Sequence, residues 1–168
     1  MEIKGITHLG ITVTNLEKSI EWYKDVLGFE LVSYDPEPYE DEREGNGVGL
    51  GRIVFKWCTF DAGGGQLLEL IEYIYPESTS KPPRPCDKGC NHISFMVDDI
   101  KAWIQNLTEK GVEFNYKSVV DNFTPITVDG GVFDGVTWIY FKDPDGISLE
   151  LMEYPTGAVN AVQHGRKQ

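Results

Sequence analysis

The side chains best suited to chemistry come in a repeat. His8 sits in Thr7-His8-Leu9-Gly10-Ile11-Thr12-Val13, and His92 in Asn91-His92-Ile93-Ser94-Phe95-Met96-Val97. Glu69 sits in Gly65-Gln66-Leu67-Leu68-Glu69-Leu70-Ile71-Glu72-Tyr73, and Glu150 in Gly146-Ile147-Ser148-Leu149-Glu150-Leu151-Met152-Glu153-Tyr154. Each copy supplies one imidazole and one carboxylate. Facing each other, the copies would make a four-donor site for one divalent metal ion: His8, Glu69, His92 and Glu150. Two His and two Glu leave one or two positions for water, and nickel, cobalt, manganese or zinc would accept that set. The carboxylates balance the ion's charge. The metal would polarise a substrate oxygen and stabilise an enediolate, while Glu150 or Glu69 moves a proton between adjacent carbons.

Plainer accounts exist for each residue alone. A single strand histidine is usually structural, although a charged residue in a leucine-rich strand is unusual because charge is rarely buried unpaired. Two of each, related by one repeat, favour the metal site. Glu72 and Glu153 also repeat, but with opposite strand parity, and are expected to face solvent. Cys86, Cys90 and His92 have the spacing of half a zinc site without a fourth partner. His164 is expected at the surface of the tail. The acidic run Glu40–Glu44 reads most simply as a solvated face.

These residues need a frame to position them. Residues 6–13 and 92–97 read as strands, rich in β-branched and apolar residues. A helix follows each. The first runs from about Leu16 to Leu27, with Asn15 as cap, Gly28 as stop and a stripe of Leu16, Ile20, Tyr23 and Leu27. The second runs from about Ile100 to Lys110, capped by Asp98 or Asp99 and stopped by Gly111, with Ile100, Trp103, Ile104 and Leu107 as its stripe. Three strands are expected after each helix: Phe29–Tyr34, Arg52–Asp61 and Gln66–Tyr73, then Val112–Tyr116, Val132–Lys142 and Ile147–Tyr154. Residues 124–128 suggest a short extra strand. Asp61-Ala62-Gly63-Gly64-Gly65 and Asp143-Pro144-Asp145-Gly146 mark the last turn of each copy.

Residues 1–74 thus form a first β-α-β-β-β module and residues 90–154 a second. Residues 75–89, rich in proline, read as a linker, and residues 155–168 as a frayed tail. Residues 35–51, acidic and glycine-rich, read as a mobile loop.

With 168 residues, 40% of them hydrophobic, the chain can bury a sizeable core. The net charge of −12 argues against nucleic acid and anionic membranes as partners. No apolar run is long enough to span a membrane, and the N-terminus lacks a signal-peptide core. Three cysteines make no disulfide framework, so a reduced, cytoplasmic setting is expected.

From Ile6 to Tyr154 the chain resembles the vicinal oxygen chelate superfamily, which includes glyoxalase I, bleomycin-resistance proteins, extradiol dioxygenases and methylmalonyl-CoA epimerase. The resemblance rests on His8-Leu9-Gly10-Ile11, Trp22-Tyr23-Lys24-Asp25-Val26-Leu27-Gly28-Phe29, Gly89-Cys90-Asn91-His92-Ile93, and Asp143-Pro144-Asp145-Gly146-Ile147-Ser148-Leu149-Glu150-Leu151. It implies an α+β fold of two βαβββ modules, with mixed β-sheets cupped around a metal site, often in a homodimer.

The ligand order His8, Glu69, His92, Glu150 is similar to that of bacterial glyoxalase I. The epimerase typically has glutamine as its second ligand. The extradiol dioxygenases use two His and one Glu with further active-site histidines, whereas Tyr140 here aligns with one of their pocket tyrosines. The glyoxalase arginine four residues after the first histidine is Thr12 here, and its asparagine four residues after the first glutamate is Tyr73. Both changes argue against a glutathione conjugate. Thr12, Tyr73, Trp57, Trp138 and Tyr140 would line a more aromatic substrate pocket.

The implied function is a metal-dependent lyase or isomerase of glyoxalase I type, acting on a small α-hydroxycarbonyl or related vicinal-oxygen substrate. The alternatives are an extradiol-type dioxygenase using Fe(II) or Mn(II), and a non-enzymatic drug- or metabolite-binding protein of bleomycin-resistance type.

Overall fold

The computed structural model describes residues 1–78, 81–115 and 124–156. The chain divides into two units, residues 1–81 and 82–168. In the first, β1 (His8–Thr12) leads into α1 (Leu16–Leu27), then β2 (Glu30–Tyr34), β3 (Tyr39–Glu40), α2 (Glu42–Gly47), β4 (Val54–Asp61) and β5 (Leu67–Tyr75). In the second, β6 (His92–Val97) leads into α3 (Ile100–Glu109), then β7 (Ile126–Thr127), β8 (Thr137–Lys142) and β9 (Ser148–Glu153).

Both sheets are mixed and built alike. The first is ordered β1-β5-β4-β2, with β3 pairing β4; the second is ordered β6-β9-β8-β7. In each, the opening strand runs parallel to the closing one, and the remaining pairs are antiparallel. The class is α+β, two mixed-sheet modules with few helices.

Each helix covers one face of its own sheet. Asn15 caps α1 by accepting a hydrogen bond from the Lys18 N–H at 2.9 Å. Gly28 ends the helix with φ +72° and donates its N–H to Lys24, a left-handed conformation that glycine adopts without steric cost. The buried stripe is Leu16, Ser19, Ile20, Tyr23, Val26 and Leu27. It meets the inward residues of β4 and β5: Phe60, Leu68 and Leu70 are at most 1% exposed. Burying such a side chain contributes roughly 1.5–3 kcal/mol. In the second unit, Ile100, Ile104 and Leu107 of α3 are buried, as are Phe141, Leu149 and Leu151 of the sheet, while Trp103 stays half-buried.

Three segments depart from the sequence expectation. Residues 35–51 are not a plain loop: they contain β3 and α2. Asp41 caps α2 by accepting from the N–H groups of Arg43 and Glu44. Arg52 forms an ion pair with Glu40 at 2.8 Å. Gly45 lies so close to the Gly51 carbonyl that a Cβ there would collide with it.

The strand expected over Val112–Tyr116 reduces to a bridge between Phe114 and Phe141, and Tyr116 lies outside the described residues. The outer edge of β8 is shared, since Ile126 and Thr127 pair with its other end. The strand expected from Val132 begins only at Thr137, because residues 131–134 form a turn. Residues 157–168 of the expected tail, including His164, lie outside the described residues. No described helix is long and apolar enough to cross a membrane.

Candidate functional site

The parallel pair at the heart of each unit brings one histidine beside one glutamate. In the first unit, Gly10 stands opposite Glu69 and His8 opposite Leu67. With no side chain on Gly10, the Glu69 carboxylate can lie across β1 towards the imidazole. His8 Nε2 is 3.7 Å from Glu69 Oε2, and His8 Nδ1 is 3.1 Å from the Thr7 hydroxyl. In the second unit, Ser94 stands opposite Glu150 and His92 opposite Ser148. His92 Nε2 is 3.5 Å from Glu150 Oε2.

The turns that deliver these glutamates also repeat. The Asp61 carboxylate accepts from the Gly63 N–H at 2.7 Å. The buried Asp143 carboxylate accepts from the N–H groups of Asp145 and Ile147. Such side-chain-to-backbone bonds set the turn and therefore the register of the strand that follows.

The half-sites differ in their surroundings. The Glu69 side chain is 26% exposed and that of Glu150 only 8%. Across the β8–β9 ladder, Tyr140 stands opposite Glu150. Its hydroxyl lies 3.1 Å from His92 Nε2, with the two rings edge to face. Burial, followed by the charge and hydrogen bonding of Glu150, pushes the phenol up to about 12. Tyr140 is therefore a neutral hydroxyl near pH 7.

The donor chemistry of each pair fits a divalent metal ion. Imidazole nitrogen and carboxylate oxygen lie about 2.0–2.2 Å from such an ion, so two ligands of one ion stand at a separation similar to those seen here. Among the described residues, neither unit groups three or more His, Cys, Asp or Glu side chains so that they could hold a metal ion. Each unit on its own presents one histidine–glutamate pair. The alternative grouping of Cys86, Cys90 and His92 does not assemble; the Cys90 thiol instead lies 3.6 Å from the Pro83 carbonyl oxygen.

Each pair adjoins a cavity in its own unit. In the first, Glu69, Trp57 and Tyr73 line a space of about 570 Å³. In the second, His92, Trp138 and Tyr140 line one of about 410 Å³. Thr12 is exposed at the end of β1 and does not line the first cavity. The other four expected pocket residues do line a cavity.

The structure corrects the reading of Glu72 and Glu153. They point away from the half-sites, as their parity requires, but not into solvent. Glu72 accepts from the Leu16 N–H at 2.7 Å, and Glu153 from the Ile100 N–H at 2.7 Å. Each carboxylate thus satisfies a free donor at the N-terminus of the helix packed on its sheet, where the helix dipole favours negative charge. The Lys56 ammonium bridges Glu72 at 3.1 Å and Glu17 at 2.8 Å. Burial alone would lower the Lys56 ammonium, but its hydrogen bonds to Glu17 and Glu72 hold it above its ordinary value. The signal was present in the sequence: both glutamates repeat, and each repeat copy contains a helix start that needs an acceptor.

Residues 5–151 match the Glyoxalase/Bleomycin resistance protein/Dioxygenase superfamily. A 2-epi-5-epi-valiolone epimerase from Actinomyces sp. is 30% identical over 92% of this chain and 81% of its own length. Metallothiol transferase FosB from Staphylococcus haemolyticus is 29% identical over 89% of this chain and 83% of its own. A glyoxalase family protein from Bacillus cereus shares the fold, with a TM-score of 0.72 at 20% identity, covering 92% of this chain and 96% of that one. With its duplicated sheet and its paired histidines and glutamates, the chain belongs to the Glyoxalase/Bleomycin resistance protein/Dioxygenase superfamily.

Proposed function

We propose that this chain is a metal-dependent isomerase or lyase that moves a proton between carbons of a small α-hydroxycarbonyl substrate. The observation that carries this reading is the duplicated pair: His8 with Glu69 at 3.7 Å and His92 with Glu150 at 3.5 Å. His8, Glu69, His92 and Glu150 would together hold one divalent ion. When bound, the ion supplies a Lewis acid for a substrate oxygen.

The remaining work falls to the chain's own groups. Glu150, buried beside His92 and opposite Tyr140, removes the proton next to the carbonyl. A glutamate returns it, to the neighbouring carbon for a 1,2-shift or to the opposite face of the same carbon for inversion. The Tyr140 hydroxyl, neutral at pH 7, donates a hydrogen bond to substrate oxygen. Trp57 and Trp138 cover apolar substrate faces and exclude water. The Actinomyces relative, named an epimerase, favours proton transfer with inversion over thiol addition.

The test is hydrogen–deuterium exchange in heavy water. Protein loaded in turn with nickel, cobalt, manganese and zinc is incubated with small α-hydroxyketones and hemithioacetals, and exchange next to the carbonyl is followed by NMR. The reading expects exchange with at least one metal and its loss in Glu150→Gln. Oxygen uptake without exchange would establish a dioxygenase instead.

A further inference from the structure

The cavity of the first unit has a charge character that selects its ligand. Its floor is aromatic: Phe55 packs edge to face on Tyr39 at 5.6 Å and lies 6.2 Å from Tyr73, with Trp57 on the same strand. Among the described residues, every charged side chain lining it is a carboxylate: Asp35, Glu37, Glu44 and Glu69. The basic residues of the same segment are engaged elsewhere. Arg43 pairs with Asp41 at 2.8 Å, and Arg52 pairs with Glu40 while lying over the Tyr75 ring. Among the described residues of the second unit, no Lys, Arg, Asp or Glu lines the cavity; Lys142 reaches its edge through a 2.8 Å hydrogen bond to Ser148.

Aromatic faces accept the C–H surface of a ring or carbon chain, and carboxylates accept hydrogen bonds from several hydroxyls at once. The same carboxylates repel phosphate or carboxylate groups, most strongly in a cleft with low-dielectric walls. The geometry points to a neutral, polyhydroxylated ketone as the occupant of this cavity, with anionic analogues rejected by Asp35, Glu37 and Glu44. This assignment names the substrate class of the proposed reaction and rests on that reading only for the chemistry, not for the binding.

The test compares D-fructose with D-fructose 6-phosphate. Binding is read from tryptophan fluorescence, with Trp57→Phe to assign the signal, and deuterium exchange is measured alongside. Fructose should bind about tenfold more tightly than its phosphate at low salt. The gap should narrow at high ionic strength, because charges on the cavity rim are screened. It should close in Asp35→Asn/Glu37→Gln/Glu44→Gln, and narrow in Glu37→Gln alone if the triple variant fails to fold.

Equal or tighter binding of the phosphate, a gap indifferent to salt and to these variants, or no binding of fructose would each overturn the assignment. A neutral preference without exchange would sink the reaction and leave this inference standing. Exchange that favours the phosphate would do the reverse.

Discussion

The Tyr140 hydroxyl lies 3.1 Å from His92 Nε2, on the nitrogen that also faces Glu150. A histidine nitrogen bound to metal has no lone pair left for a hydroxyl. In the proposed metal site, an ion on His92 Nε2 would displace the Tyr140 hydroxyl from that nitrogen and leave it for Glu150 or substrate. Tyr140→Phe should leave metal affinity within about tenfold of wild type and lower kcat by about 10–100-fold, as loss of a positioned hydrogen-bond donor does. Metal titration and steady-state kinetics on the same preparation check both halves. Loss of metal with no further loss of turnover per bound metal would assign Tyr140 to the metal site alone.

Glu150→Gln keeps the size of the side chain and removes the base. Turnover should fall by on the order of 10²–10⁴-fold, with a much smaller change in KM. Glu69→Gln should be weaker in effect if Glu150 removes the proton, so the ratio of the two variants ranks their roles. Equal, small losses would contradict a base on either side.

Glu72→Ala leaves the Leu16 N–H without its acceptor and Lys56 with one partner fewer. It should destabilise the protein by about 1–2 kcal/mol, the scale of a charge-assisted hydrogen bond at a helix N-terminus. Glu153→Ala should cost less, because Thr137 stands opposite Glu153 where Lys56 stands opposite Glu72. Urea unfolding measures both. Unchanged midpoints would mean that water replaces these carboxylates without cost.

The Glu17–Lys56 pair gives a pH signature. Hydrogen bonding to Lys56 is the largest influence on the Glu17 carboxyl, which lies below its ordinary value. A depressed carboxylate stabilises the fold above its unfolded-state pKa, and that stability is lost as pH falls through the folded-state value. Lys56, raised on folding, stabilises below its unfolded-state pKa and loses that contribution as pH rises through the folded one. Wild type should therefore exceed Glu17→Gln in stability across neutral pH, with the difference vanishing at both the acid and the alkaline end. A difference independent of pH would show that packing, not charge, is responsible.

Much of this arrangement was legible in the sequence, and for definite reasons. The alternation in His8–Thr12 and Leu67–Tyr73 places His8 and Glu69 on chosen strand faces, and the repeat carries the same logic to His92 and Glu150. Asn15 and Gly28 bound α1 through cap chemistry that a sequence displays openly. What escaped depends on contacts between distant segments. Parity shows that Glu72 faces away from Glu69, but not that a helix N-terminus waits there. The six residues of α2 are too few to show a period, and α2 is held by the Asp41 cap and the contact of Gly45 with Gly51. The acidic wall of the first cavity, formed in part by Asp35 and Glu44, reads as solvated charge until β3 and α2 fold beside Trp57.

Thiol chemistry offers an independent check on the packing. Cys58 is fully buried, and burial pushes its thiol up to about 12, whereas Cys86 is exposed. An alkylating reagent should label Cys86 in the native protein and Cys58 only on unfolding. Rapid native labelling of Cys58 would contradict the packing of β4 against α1.

The most direct test of the central claim is metal content by elemental mass spectrometry on untagged protein, for wild type and for His8→Ala, Glu69→Gln, His92→Ala and Glu150→Gln. A shared four-donor site predicts about one equivalent of a divalent metal per chain in wild type. It also predicts a loss of affinity of about tenfold or more in every variant, whichever half is altered. Full metal content after changes in one half would contradict a shared site, as would wild-type protein that takes up no metal on reconstitution.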